Sequence, residues 1–412
     1  MNNSAKNHQR PAHKEISEKT NKAEEMQVQT ESPERALLKV GITHGDTNGV
    51  GYELILKTFA ENMMFEICTP VVYGSAKIAA THRKDLELNT NFRNITSAEQ
   101  AEPGYLNLID CVNGETKVEW GKTDNEAGYA ALQALECAVK DLKAGKIDVL
   151  VTAPICKAAI QSDDFHFAGH TEFLADRLGN EGEKPLMILA NQLMRVALVT
   201  THLPLSGVAA AITQERVGEK IRSFYHSLRR DFLLSAPRLA VLGLNPHNGD
   251  EGVVGEEENL HIIPAIQAAQ EEGIPCFGPY SADGFFGSAL YEHFDGVLAM
   301  YHDQGLAAFK ALSMEDGVNF TSGLSYVRTS PDHGTAFDIA GKGVASENSF
   351  RQAIYMAVDI FHHRKADDEA HVNPLPKLYH ERREDSERQR HTTTPKAAEN
   401  NETEQNNTTT NE

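Results

Sequence analysis

The stretch that decides the fold is GVLAMYH, Gly296–His302. Its opening run, GVLAM, is apolar throughout. A half-exposed strand alternates polar and apolar residues, whereas a short wholly apolar run is buried on both faces. Similar runs recur as LLKVGIT (Leu37–Thr43), PVVY (Pro70–Tyr73), IDVLVT (Ile147–Thr152), VALVT (Val196–Thr200) and LAVLGL (Leu239–Leu244). Amphipathic helices lie between them. The clearest sets Leu132, Leu135, Val139 and Leu142 on one face and ends near Gly145, a C-terminal cap. Strand–helix alternation of this kind predicts an α/β fold with mostly parallel sheets flanked by helices.

The chain has 412 residues, 40% hydrophobic and 24% charged, which suits a sizeable core. Its formal net charge of -20 argues against general nucleic-acid binding, because phosphate backbones are repelled. An anionic ligand therefore needs a local cluster of positive groups. Cys68, Cys111, Cys137, Cys156 and Cys276 are scattered and form no CxxC pair, which fits a reducing compartment. The first residues have no signal-peptide core and no run is long enough to span a bilayer, so the expected location is the cytoplasm, with no membrane partner. Residues 1–35 and 364–412 are polar and read as disordered extensions of a catalytic region 36–363.

Three apolar runs lead into histidine: VALVTTH into His202, LAVLGLNPH into His247 and GVLAMYH into His302. Open α/β sheets bind ligands outside the carboxyl ends of their strands. Three imidazoles there suit a divalent metal with open positions for substrate. Asp303 is placed to fix a ligand tautomer. Each histidine taken singly reads more readily as a loop or capping residue; three at equivalent strand ends are harder to dismiss.

Other groups point to an anion and a nucleotide. In FAGHTEFLAD, His170 and Thr171 stand at a helix start, with Thr171 the expected cap. Lys310, Asn319 and Arg328 follow His302, the last in the loop-like GLSYVRTSPDHG. The stretch DHGTAFDIAGKG is a flexible polar loop able to wrap an adenosine, with Asp338 as an acceptor for ribose hydroxyls. The turn THGDTNGVGYE lacks GxGxxG spacing and predicts only a close backbone approach.

The strings TAPICK, FAGHTEFLAD, THLPL, LNPHNGDEG, GPYSAD, YHDQGLAAFK and GLSYVRTSPDHGTAFDIAGKG, in order from about Gly41 to Arg351, resemble the 4-hydroxythreonine-4-phosphate dehydrogenase family. The last string is also similar to the nucleotide loop of isocitrate and isopropylmalate dehydrogenases. The resemblance implies a two-lobed subunit, a homodimer with active sites at the cleft and dimer interface, and one divalent metal per subunit (zinc, magnesium or cobalt). It implies metal ligands His202, His247 and His302, substrate contacts His170, Thr171, Lys310, Asn319 and Arg328, and NAD (alternatively NADP) contacts His333, Gly334, Thr335, Ala336 and Asp338. The activity implied is oxidation and decarboxylation of 4-phosphooxy-L-threonine, a small phosphorylated hydroxy-amino acid, in pyridoxal 5'-phosphate biosynthesis. Lys310 or a metal-bound water is the candidate base. Rival readings are a 4-phospho-threonate or erythronate dehydrogenase, a three-histidine metal hydrolase, and a non-catalytic binding protein. The chain departs from the family pattern at Thr47 and Tyr52, where prolines are usual, and at Cys156, where Asn is usual.

Overall fold

A computed structural model describes residues 37–112, 117–160, 170–180, 182–312 and 315–374. Twelve strands form a single sheet. In chain order they are β1 Lys39–Thr43, β2 Thr69–Gly74, β3 Phe92–Ile95, β4 Leu106–Asp110, β5 Val149–Thr152, β6 Leu186–Ala190, β7 Arg195–Leu198, β8 Leu239–Leu242, β9 Cys276–Tyr280, β10 Gly296–Ala299, β11 Val318–Ser322 and β12 Arg328–Pro331. Their order across the sheet is β3-β4-β2-β1-β5-β12-β11-β6-β7-β10-β8-β9. Pairing is parallel except β6 with β7, β6 with β11, and β11 with β12. The strands expected in two lobes are thus joined through this antiparallel centre.

Burial on both faces follows from the apolar runs. In β10, Val297 and Ala299 enter one core cluster and Leu298 the other; β8 divides likewise, with Leu239 and Val241 opposite Ala240 and Leu242. The predicted amphipathic helix spans Asn125–Lys143, and Leu132, Leu135, Val139 and Leu142 are all buried against β2 and β5. Asp124 caps its start by accepting from the Ala127 amide. Gly145, at φ 67°, ends it in the left-handed conformation that glycine adopts without a steric penalty.

The carboxyl boundary falls later than the expected residue 363. The final helix runs Asn348–Val372. Arg364 is buried: its Nε donates to Asp231 Oδ1 at 2.6 Å and its Nη1 to the carbonyl of Leu324. Asp231 Oδ2 accepts from the hydroxyls of Ser227 and Ser322. Polar composition concealed this segment because its key residue is a cation buried through pairing. The extensions 1–35 and 375–412 lie outside the described residues.

The turn after β1 packs on protein backbone. A side chain on Gly45 (φ 72°) would meet the Pro154 carbonyl, and one on Gly49 the Thr335 carbonyl. Tyr52 stacks on His44 at 5.1 Å and lies 5.1 Å from His82. Its hydroxyl donates to the Ser75 carbonyl and accepts from the Ser75 amide. Burial lowers both His44 and His82 to about 4 and raises Asp46 to about 6. Both histidines stay neutral in the fold while those of the unfolded chain take up protons below their ordinary value of 6.5, so the fold loses stability as pH falls from there towards 4. Each contributes a slope of at most about 1.4 kcal/mol per pH unit. Asp46 acts oppositely, relieving part of the loss between 6 and 3.8. Urea midpoints should therefore drop from pH 7 to pH 5; an unchanged midpoint would contradict this account.

Candidate active site

β7, β10 and β8 are adjacent and mutually parallel, so the segments carrying His202, His302 and His247 leave the sheet at one edge. The structure brings two of the three together. The rings of His202 and His302 lie 6.2 Å apart, centre to centre. Two imidazoles on one tetrahedral zinc, with Zn–N bonds of about 2.0–2.1 Å, have centres roughly 5 Å apart. His302 opens the helix His302–Leu312 rather than a loop. Its Nδ1 is 2.7 Å from Asp303 Oδ1, the predicted orienting contact; with Nδ1–H donating there, the Nε2 lone pair is left for a metal.

His247 does not join them. Among the described residues, no group of three or more His, Cys, Asp and Glu could hold a metal ion. β8 lies on the far side of β10 from β7, and the chain then winds left-handed through His247 (φ 54°), Asn248, Gly249, Asp250 and Glu251. His247 is not among the residues lining the cavity that the other two share.

The cavity holds about 240 Å³ and is lined by Lys157, His202, His302, Lys310, Asn319, Arg328, His333 and Gly334, among others. Arg328 is not in a loop. It opens β12 and is buried, with Nε and Nη2 donating to Thr152 Oγ1 at 3.1 and 2.5 Å and Nη1 to Thr321 Oγ1 at 3.3 Å. Lys310 Nζ donates to the Asp332 carbonyl at 3.0 Å. The Asp332 carboxyl is raised, chiefly by burial. Asn319 Oδ1 is buried without a hydrogen-bond partner, and such an atom calls for a ligand donor. Three cations, Lys157, Lys310 and Arg328, and an unused acceptor inside an acidic chain make this a place for an anion that also bears an N–H or O–H.

The family model for pyridoxal phosphate biosynthetic protein PdxA matches residues 66–357. The chain belongs to the PdxA family. It is 58% identical over 351 residues to the 4-hydroxythreonine-4-phosphate dehydrogenase of Bacteroides thetaiotaomicron, covering 85% of this chain and 96% of that one. The corresponding enzyme of Sulfurihydrogenibium is 39% identical, over 78% of this chain and 98% of its own. A crystal structure of 4-hydroxythreonine-4-phosphate dehydrogenase from Klebsiella pneumoniae aligns with TM-score 0.69 and 33% identity, over 79% of this chain and 99% of that one.

Other predicted contacts of this PdxA chain divide. His333 and Gly334 line the cavity; the Thr335 carbonyl is taken by the Val50 amide; Ala336 has φ 47°; Asp338 is exposed. The helix His170–Leu178 begins one residue before Thr171, which therefore lies within its first turn and is not the cap. The side chains of His170 and Thr171 lie outside the described residues. Sequence reasoning passed over Lys157, whose Nζ is 3.4 Å from His202 Nε2. Its signal was present: the TAPICK lysine lies just beyond the carboxyl end of β5, where it opens the helix Lys157–Ile160.

Proposed function

We propose that this chain is an NAD- and divalent-metal-dependent dehydrogenase acting on 4-phosphooxy-L-threonine. Oxidation of the secondary hydroxyl sends hydride to NAD and leaves a 3-oxo acid; loss of carbon dioxide yields 3-amino-2-oxopropyl phosphate. The observation that carries this reading is the meeting of His202 and His302 with Lys310, Arg328 and the unpartnered Asn319 in one cavity of a PdxA chain.

The imidazoles of His202 and His302 are suitable donors for zinc or cobalt, with His247 completing the set in a homodimer. A divalent metal held there supplies Lewis-acid polarisation of the hydroxyl and of the later carbonyl. Asp303 keeps the His302 ring in one tautomer. Arg328 and Lys310 hold the anionic ends, joined by His170 and Thr171. In its neutral amine form Lys310 is the candidate proton acceptor, with Arg328 then holding the anion. Asn319 Oδ1 accepts from the substrate's amino or hydroxyl group. His333, Gly334, Thr335, Ala336 and Asp338 form the nucleotide side. Fixed positive groups around developing negative charge, and orientation of the reacting carbon, provide the acceleration. The enzyme works in the cytoplasm; among the described residues no helix is long and apolar enough to cross a membrane.

The deciding experiment follows NADH absorbance with 4-phosphooxy-L-threonine, 4-phospho-D-threonate and 4-phospho-D-erythronate, with NAD or NADP, before and after chelation. The threonine phosphate should be turned over fastest with NAD, and chelation should stop it. Preference for a sugar-acid phosphate, or turnover surviving exhaustive metal removal, would refute the assignment.

A further inference from the structure

The ladder joining β10 to β8 ends at Leu298 and Val241, short of the two histidine turns. Beyond it one side chain replaces the backbone rungs. Gln304 Oε1 accepts from the Met300 amide at 2.7 Å, and Gln304 Nε2 donates to the Gly243 carbonyl at 2.7 Å. On the other side of β10, the Met300 carbonyl accepts from the amide and hydroxyl of Thr200, at 3.1 and 2.8 Å. Thr200, Met300, Gln304 and Gly243 thus form one hydrogen-bonded chain across three strand ends. Thr200 stands two residues before His202, Met300 two before His302, and Gly243 four before His247. The buried carboxylate of Glu258 extends this chain, accepting from the amides of Leu244 and Asn245 at 2.7 Å each.

We infer that Gln304 is a positioning residue that sets the spacing of the three histidine turns for metal binding. The inference rests on the metal-site reading above. A carboxamide offers both an acceptor and donors at one planar group; a carboxylate lacks the donor and an aliphatic chain lacks both. Gln304 therefore meets the needs of an amide and a carbonyl belonging to different strands. In a symmetric dimer the same spacing within each chain determines how imidazoles from two chains meet, so the clamp acts on both sites at once.

The test uses the full-length protein with Gln304→Leu, Gln304→Glu and His302→Ala, and measures Zn²⁺ affinity by competition with a chromophoric chelator. Melting of the metal-free proteins is followed alongside. Gln304→Leu should bind Zn²⁺ about 10–100-fold more weakly, the range for groups that orient ligands from outside the coordination shell. Gln304→Glu, which keeps only the acceptor for Met300, should fall between it and the parent; this variant decides if the leucine protein fails to fold. Affinities within about two-fold of the parent for both Gln304 variants, with binding lost in His302→Ala, would overturn the clamp and leave the metal site standing. Unchanged binding in His302→Ala as well would overturn both.

Discussion

Alanine at His302 is expected to lower NADH formation by about 10³-fold or more while the protein still folds. The ring is only part-buried, it lies 6.2 Å from the His202 ring, and Asp303 engages its Nδ1, leaving Nε2 for a metal. A metal that polarises the reacting oxygen contributes several kcal/mol to the transition state, and each factor of ten in rate corresponds to about 1.4 kcal/mol. Removing one donor of a two- or three-imidazole set forfeits most of that. The fold should feel little, since a substitution at a part-exposed side chain away from the core usually stays within about 0.5 kcal/mol. The measurements are steady-state NADH production at saturating metal and the melting temperature. Activity within ten-fold of the parent would mean that His302 is not a ligand. Loss of activity with a collapsed melting temperature would mean that its role is structural.

Alanine at Asp231 is expected to cost stability instead, by about 3–5 kcal/mol, the usual range when one partner of a buried ion pair is removed. The guanidinium of Arg364 would remain buried without its carboxylate, and Ser227 and Ser322 would lose a shared acceptor. The pair fastens the final helix to the helix Gln214–Arg230, at whose end Asp231 lies, and to β11. Guanidinium-induced unfolding should show a markedly lower midpoint. Arg364→Met, which removes the charge but keeps apolar bulk, should be milder when combined with Asp231→Leu than Asp231→Ala alone. A midpoint within experimental error of the parent would show that the network is dispensable.

Half of the sheet was legible before any coordinates. GVLAM, LAVLGL and VALVT announce strands because both faces are apolar. RTSP and VNFTS do not, although they are β12 and β11 at the centre of the sheet. Several of their polar side chains are buried through hydrogen bonds to residues distant in the chain, as Arg328 is with Thr152, Thr329 with the Ala353 carbonyl and Ser322 with Asp231, and such partners are invisible in a local pattern. Arg328 read as a loop residue for the same reason, and Arg364 as part of a polar tail.

By itself the sequence determined the α/β class, the strand ends bearing His202, His247 and His302, and the family, because apolar periodicity and motif strings are local properties of the chain. Only the tertiary structure decided that β7, β10 and β8 are neighbours, that His202 and His302 meet while His247 does not line their cavity, and that Lys157, Asn319 and Arg328 face the same cavity. Those facts depend on strand order and on hydrogen bonds between residues far apart along the chain, and no stretch of sequence carries either.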